Sequence, residues 1–129
     1  KKKLTLLHVW HHFSVCLYCW IIVYSTYYNE GGHGTYFAAM NSFIHMLMYS
    51  YYAIVTKTTF RSNLIAKLIT TLQIIQMMCG LLIHLYKSFN CNCNYMLEVY
   101  LGYLIYSSYL YLFIQYFYNR YISAFKNKN

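Results

Sequence analysis

Four stretches of this chain, Leu4 to Tyr28, Thr35 to Thr56, Ser62 to Tyr86 and Asn94 to Tyr118, are long and nearly free of charge. A helix needs about 20 mostly apolar residues to cross a hydrocarbon core about 30 Å thick, and each stretch meets that length. Between them lie a glycine-rich turn (Asn29 to Gly34), a basic turn (Lys57 to Arg61) and a polar Asn/Cys turn (Lys87 to Cys93). Such short connections make successive helices antiparallel neighbours. The pattern predicts an all-α protein: a polytopic membrane helical bundle of about four transmembrane helices, over roughly 4–28, 35–56, 62–86 and 94–118. All of 1–129 forms one membrane domain, with a polar tail from Asn119 to Asn129. The lack of proline leaves little to interrupt long helices. Only 9% of residues are charged, against 60% hydrophobic, so water is not the main solvent of this chain.

The net charge of +8 raises nucleic-acid binding as a possibility, but the basic residues cluster at the ends of apolar segments rather than along a solvated face. Membrane topology explains them better, and no nucleic-acid partner is expected. In the up-down arrangement Lys1, Lys2, Lys3, Lys57, Arg61, Arg120, Lys126 and Lys128 fall on one side, with Lys67 near it, and Lys87 lies opposite. Cytoplasmic flanks retain positive charge, so both chain ends and the second turn are expected in the cytoplasm and Glu30 on the other side. The first apolar run is too long for a cleavable signal peptide, and a chain opening on Lys1 without a methionine is expected to be a fragment. The 18 tyrosines read as the mark of an AT-rich coding genome and carry no functional expectation.

His8, His11 and His12 form the pattern H-V-W-H-H, which on a helix lies within an arc of about 100°. A lone membrane histidine usually packs and hydrogen-bonds. Three on one face, about a turn inside the membrane, point instead to a site, because unpaired polar groups there are costly. Asn41, His45, Tyr49 and Tyr52 follow one another at i, i+4, i+8 and i+11 and line one face of the second helix. They suit either a polar seam between helices or a site. A simple hairpin leaves His45 and His12 offset by about 9 Å along the axis, so tilt or a later turn must close that gap if they cooperate.

The third helix carries Lys67, Gln73 and Gln76. Lys67 is placed to snorkel to the cytoplasmic surface, and the two amides suit structural bonding or substrate contact equally. Cys16, Cys19 and Cys79 read as core, since the C-x-x-C spacing lacks the setting of a redox motif. Cys91 or Cys93, in a turn on the expected lumenal side, is a candidate for pairing outside this sequence. His33 and His84, isolated near turns, receive no role.

Three blocks then appear in order: K-K-K-L-T-L-L-H-V-W-H-H at Lys1 to His12, M-N-S-F-I-H-M-L-M-Y-S-Y-Y at Met40 to Tyr52, and K-L-I-T-T-L-Q-I-I-Q at Lys67 to Gln76. Together they strongly resemble the ELO family of very-long-chain fatty acid elongases (3-oxoacyl-CoA synthases), with its basic lead-in and H-x-x-H-H box, its M-N-x-x-x-H-x-x-M-Y-x-Y-Y block and its L-T-x-x-Q-x-x-Q block. Ile69 stands where leucine is usual. The closing Y-L-Y-L-F at Tyr109 to Phe113 also looks like the family's last helix. The resemblance matches the later part of a seven-helix family fold, so about three helices are expected to be missing and the fragment alone to be inactive.

The resemblance implies a decarboxylative condensation of acyl-CoA with malonyl-CoA that gives a 3-oxoacyl-CoA two carbons longer and releases CoA and CO2. It implies no bound cofactor and no metal. A neutral imidazole is a competent acyl acceptor. In this reading His11 or His45 takes the acyl group, while His8 and His12 orient it, stabilise the enolate or move protons. Asn41, Tyr49, Tyr52, Lys67, Gln73 and Gln76 are the substrate-binding candidates, with Lys67 and Arg61 facing the CoA phosphates. The implied setting is the endoplasmic reticulum membrane, with membrane lipid, other enzymes of the elongation cycle and further copies of the chain as partners. Two alternatives remain. H-x-x-H-H also occurs in di-iron membrane desaturases and hydroxylases, whose centre takes about eight histidines, more than this chain supplies. A non-enzymatic membrane bundle, as an assembly subunit or transporter fragment, is the other, although the uninterrupted runs lack the broken helices of transporters.

Overall fold

The computed structural model describes residues 6–29, 34–58, 61–90 and 96–123, with the backbone alone at 25–29 and 34. Lys1, Lys2, Lys3, Glu30, Gly31, Gly32, His33, Cys91, Cys93, Lys126 and Lys128 lie outside the described residues, and with them the expectations placed there. The described chain is helical in four pieces: α1 (Leu6–Asn29), α2 (Gly34–Lys57), α3 (Asn63–Asn90) and α4 (Met96–Phe117). A π-helical segment, Tyr118–Ser123, continues α4.

Local chemistry sets several of these ends. Ser62 caps α3, its hydroxyl accepting the Ile65 N–H at 3.3 Å, which satisfies one of the donors left open at a helix start. The Tyr51 hydroxyl donates to the Ser62 carbonyl at 2.9 Å and so ties the end of α2 to that cap. Lys57 and Lys87 sit in the last turns of α2 and α3, and Glu98 in the first turn of α4, each with the sign that the helix dipole favours.

Two boundaries differ from expectation. α3 runs to Asn90 rather than stopping near Tyr86, because the segment from Tyr86 to Asn90 holds no proline or glycine to break it. The tail predicted from Asn119 stays helical to Ser123, where the Tyr121 ring packs 5.1 Å from Phe117 and its hydroxyl lies 3.5 Å from Thr70 Oγ1.

Contacts between helices give their directions. Along α1, Trp10 and Tyr18 meet Ser108 and Glu98 of α4 in falling order. Along α3, Lys67 and His84 meet Phe117 and the Gly102 position of α4. Both α1 and α3 are therefore antiparallel to α4 and parallel to each other. Helices long and apolar enough to cross a membrane are found at Leu6–Tyr24, Asn63–Asn90 and Met96–Ser123. The less apolar α2 has 24 residues, about 36 Å at 1.5 Å each. It joins two parallel spans and so has to return across the bilayer, which makes the described chain an up-down, multi-pass, four-helix membrane bundle.

α3 and α4 share the most extensive interface; α1 leans mainly on α4, α2 on α3, and α1 meets α2 lightly. The α3–α4 seam has a reciprocal form. Gly80 and His84 on α3, and Gly102 and Tyr106 on α4, share the same four-residue spacing, and each glycine faces the other helix's ring. A Cβ at Gly80 would collide with the Tyr106 ring, and one at Gly102 with His84 and the Tyr18 hydroxyl. Small residues let membrane helices approach closely enough for van der Waals packing to hold them. The core that results holds Tyr18, Phe37, Met77, Tyr106, Tyr109 and Phe113.

Candidate functional site

The buried arc of α1 contains His11, Ser14 and Tyr18, at i, i+3 and i+7, as a helix facing one neighbour requires. The H-V-W-H-H cluster therefore divides. His11 turns inward with 9% of its surface exposed, and His8 and His12 flank it on the exposed side. The rings stay in one group: His8 to His12 is 4.4 Å between centroids and His11 to His12 is 5.4 Å. Across the α1–α2 gap, His11 and His45 come to 6.0 Å. The axial offset of a simple hairpin is thus closed, and imidazoles from two helices meet.

The remaining candidates spread around this centre. Asn41 and Gln76 line a cavity of about 480 Å³ together with His11, Tyr18, Tyr106 and Tyr109. All four helices contribute to its wall. Its size is that of an ordinary small-molecule site. Gln76 is buried, whereas Gln73, one turn away, points its amide to the Met48 sulfur at 3.8 Å, in the α2–α3 seam. Tyr49 lies 5.7 Å from His45 but is largely exposed, as is Tyr52. Lys67 stands apart from the histidines, its ammonium 5.7 Å above the Phe117 ring.

Three expectations about individual residues change. Cys16 and Cys19 are exposed free thiols rather than core, since positions 16 and 19 fall outside the buried arc of α1; Cys79 is half-buried. His84 is no isolated turn residue. It sits in the core at 4% exposure, stacked on Phe37 at 4.8 Å and 3.3 Å from the Tyr18 hydroxyl, its Nδ1 without a hydrogen-bond partner. The tyrosines, given no weight by composition, include Tyr18, Tyr106 and Tyr109 of the buried core. Tyr109, 2% exposed, packs its ring 4.9 Å from His11. Its place in the closing Y-L-Y-L-F block was the one sequence signal for it. Among the described residues no group of three or more His, Cys, Asp or Glu side chains is arranged to hold a metal ion.

The chain is similar to known fatty acid elongases along nearly its whole length. Fatty acid elongase 3 of Trypanosoma cruzi (strain CL Brener) is 41% identical over 133 residues, covering 95% of this chain and 42% of its own length. Very long chain fatty acid elongase 6 of Mus musculus is 37% identical over 134 residues, covering 98% of this chain and 48% of its own. Its Drosophila melanogaster namesake is 30% identical over 137 residues, covering 100% of this chain and 42% of its own. The chain thus spans less than half the length of these curated relatives. No solved structure matches it significantly. The family description ELO: GNS1/SUR4 family matches residues 1–129, and the chain belongs to the ELO family.

Proposed function

We propose that this chain carries the histidine centre of a fatty acid elongase, which joins a long-chain acyl-CoA to malonyl-CoA by decarboxylative condensation. The observation that carries this reading is the 6.0 Å approach of His11 to His45, with His11 in the wall of the cavity. In the first step an imidazole nitrogen of His11 or His45 attacks the thioester carbonyl, and the CoA thiolate leaves and is protonated. In the second, malonyl-CoA loses CO2, and the resulting enolate carbon attacks the acyl-imidazole carbonyl. The histidine is regenerated, and a 3-oxoacyl-CoA two carbons longer is formed. His8 and His12, beside the reacting pair, orient it and move protons. Asn41 and Gln76 offer amides to the thioester or the pantetheine arm, and the cavity beyond them receives the acyl chain.

The reading extends to the setting. The protein is a multi-pass component of the endoplasmic reticulum membrane with its ends in the cytoplasm, where Lys57, Arg61 and Arg120 surround the entry for the anionic CoA. It works without a bound cofactor, beside the reductases and dehydratase of an elongation cycle, and with copies of itself as a further partner. The test is incorporation of radiolabelled malonyl-CoA into lipid by microsomes expressing the complete gene. His11→Ala and His45→Ala are each expected to lower condensation by about 10²- to 10⁴-fold, the range of acid-base and nucleophile loss. Near-normal condensation in either variant overturns the assignment. Stoichiometric iron with desaturation in place of chain growth overturns the reaction.

A further inference from the structure

α1 is held against α4 by a short run of polar contacts that brackets His11 on both sides. Trp10 Nε1 donates to Ser108 Oγ at 2.9 Å. The Tyr109 hydroxyl donates to Ser14 Oγ at 2.7 Å, and its oxygen lies 3.3 Å from the His11 carbonyl, a weaker second acceptor for the same proton. The Ser14 hydroxyl also reaches back to the Trp10 carbonyl of its own helix. Tyr109 is the most enclosed large side chain among the described residues, and a hydroxyl in such surroundings is costly to bury unless it bonds. Its position is therefore specified by the turn it grips. That turn, Trp10 to Ser14, is the one that carries His11.

We propose that Tyr109 and Ser14 are a positioning pair for His11. The hydroxyl contact between α4 and α1 fixes the rotation of α1 about its axis, so that the His11 imidazole is presented to His45 across the α1–α2 gap. α2 makes too light a contact with α1 to set that rotation itself. Neither Tyr109 nor Ser14 need touch substrate for this; they act through the backbone and ring of His11. A misplacement of about 1 Å at a reacting group can cost about a hundredfold in rate, which is the sensitivity such a device protects. The inference rests on the elongase reading above.

The test uses the full-length protein, purified and assayed for condensation. Tyr109→Phe keeps the ring and removes the grip, and kcat is expected to fall 10- to 100-fold, with KM for acyl-CoA within about twofold. Ser14→Ala is expected to lower kcat and Ser14→Thr, which keeps a hydroxyl, to restore most of it. Ser107→Ala removes a hydroxyl bonded only to its own helix, at Tyr103, and is expected to leave kcat unchanged. Wild-type kcat in Tyr109→Phe, in a protein that His11→Ala inactivates, overturns the positioning role and leaves the elongase reading standing. If Tyr109→Phe fails to fold, the serine pair decides: equal loss in Ser14→Ala and Ser14→Thr overturns the proposal. Full condensation in His11→Ala overturns the elongase reading, and this inference with it.

Discussion

Two glutamines one turn apart on α3 meet different surroundings, and their substitution separates binding from packing. Gln76→Leu keeps volume but removes the amide from the cavity wall, so KM for acyl-CoA is expected to rise severalfold with a smaller change in kcat. Gln73→Leu replaces a weak contact to the Met48 sulfur in the α2–α3 seam and is expected to leave both constants near normal. Steady-state kinetics of the two variants side by side checks this. The sequence made both amides equal candidates, since spacing tells which residues share a face but not which neighbour that face meets. The grouping of the histidines was legible because it lies within one helix, where H-x-x-H-H spacing alone puts three rings on one arc. Tyr109 and Ser14 were not, because their partnership joins residues 95 apart in the chain, and no periodicity within α1 points to α4.

At the scale of elements, the α3–α4 seam is the most sensitive to volume. Gly102→Ala adds a methyl where His84 and the Tyr18 hydroxyl already stand, and overpacking of this kind typically costs about 1–3 kcal/mol. A lowered thermal unfolding midpoint in detergent is the expected result. Gly80→Ala meets the Tyr106 ring, and Tyr106→Leu in the same protein is expected to recover part of the loss, a coupling that a double-mutant cycle measures. The four helices were readable from apolar length alone, because no other structure satisfies backbone groups over such runs in a membrane. Their ends were less so. The extension of α3 to Asn90 and of α4 through the π turn depends on contacts such as Thr70 with Tyr121, which belong to packing rather than to composition. The inward burial of His84, already inside the expected third helix, depends on its packing against Phe37 and Gly102.

For the whole molecule, the antiparallel order brings Lys57, Arg61 and Arg120 to one end of the bundle, and the excess of positive charge there sets the expected orientation. A glycosylation acceptor inserted between residues 58 and 61 is expected to stay unmodified in microsomes, and one inserted between residues 30 and 33 to be modified. The reverse pattern would invert the bundle. The cavity was the least legible feature, since no single helix defines it. Its wall comes from all four.

The uneven grip among the helices has a consequence for how the protein fails. α3 and α4 are adjacent in sequence and locked together by the exchanged rings, whereas α1 and α2, which bring the histidines, are each fastened chiefly to one member of that hairpin. Regions with fewer interlocking contacts open at lower free energy than the rest. On gentle warming in detergent, amide protons of α1 and α2 are therefore expected to exchange with deuterium before those of α3 and α4. Under the elongase reading, condensation is expected to fade while circular dichroism still reports nearly full helicity, because the two histidine-bearing helices part well before the bundle melts.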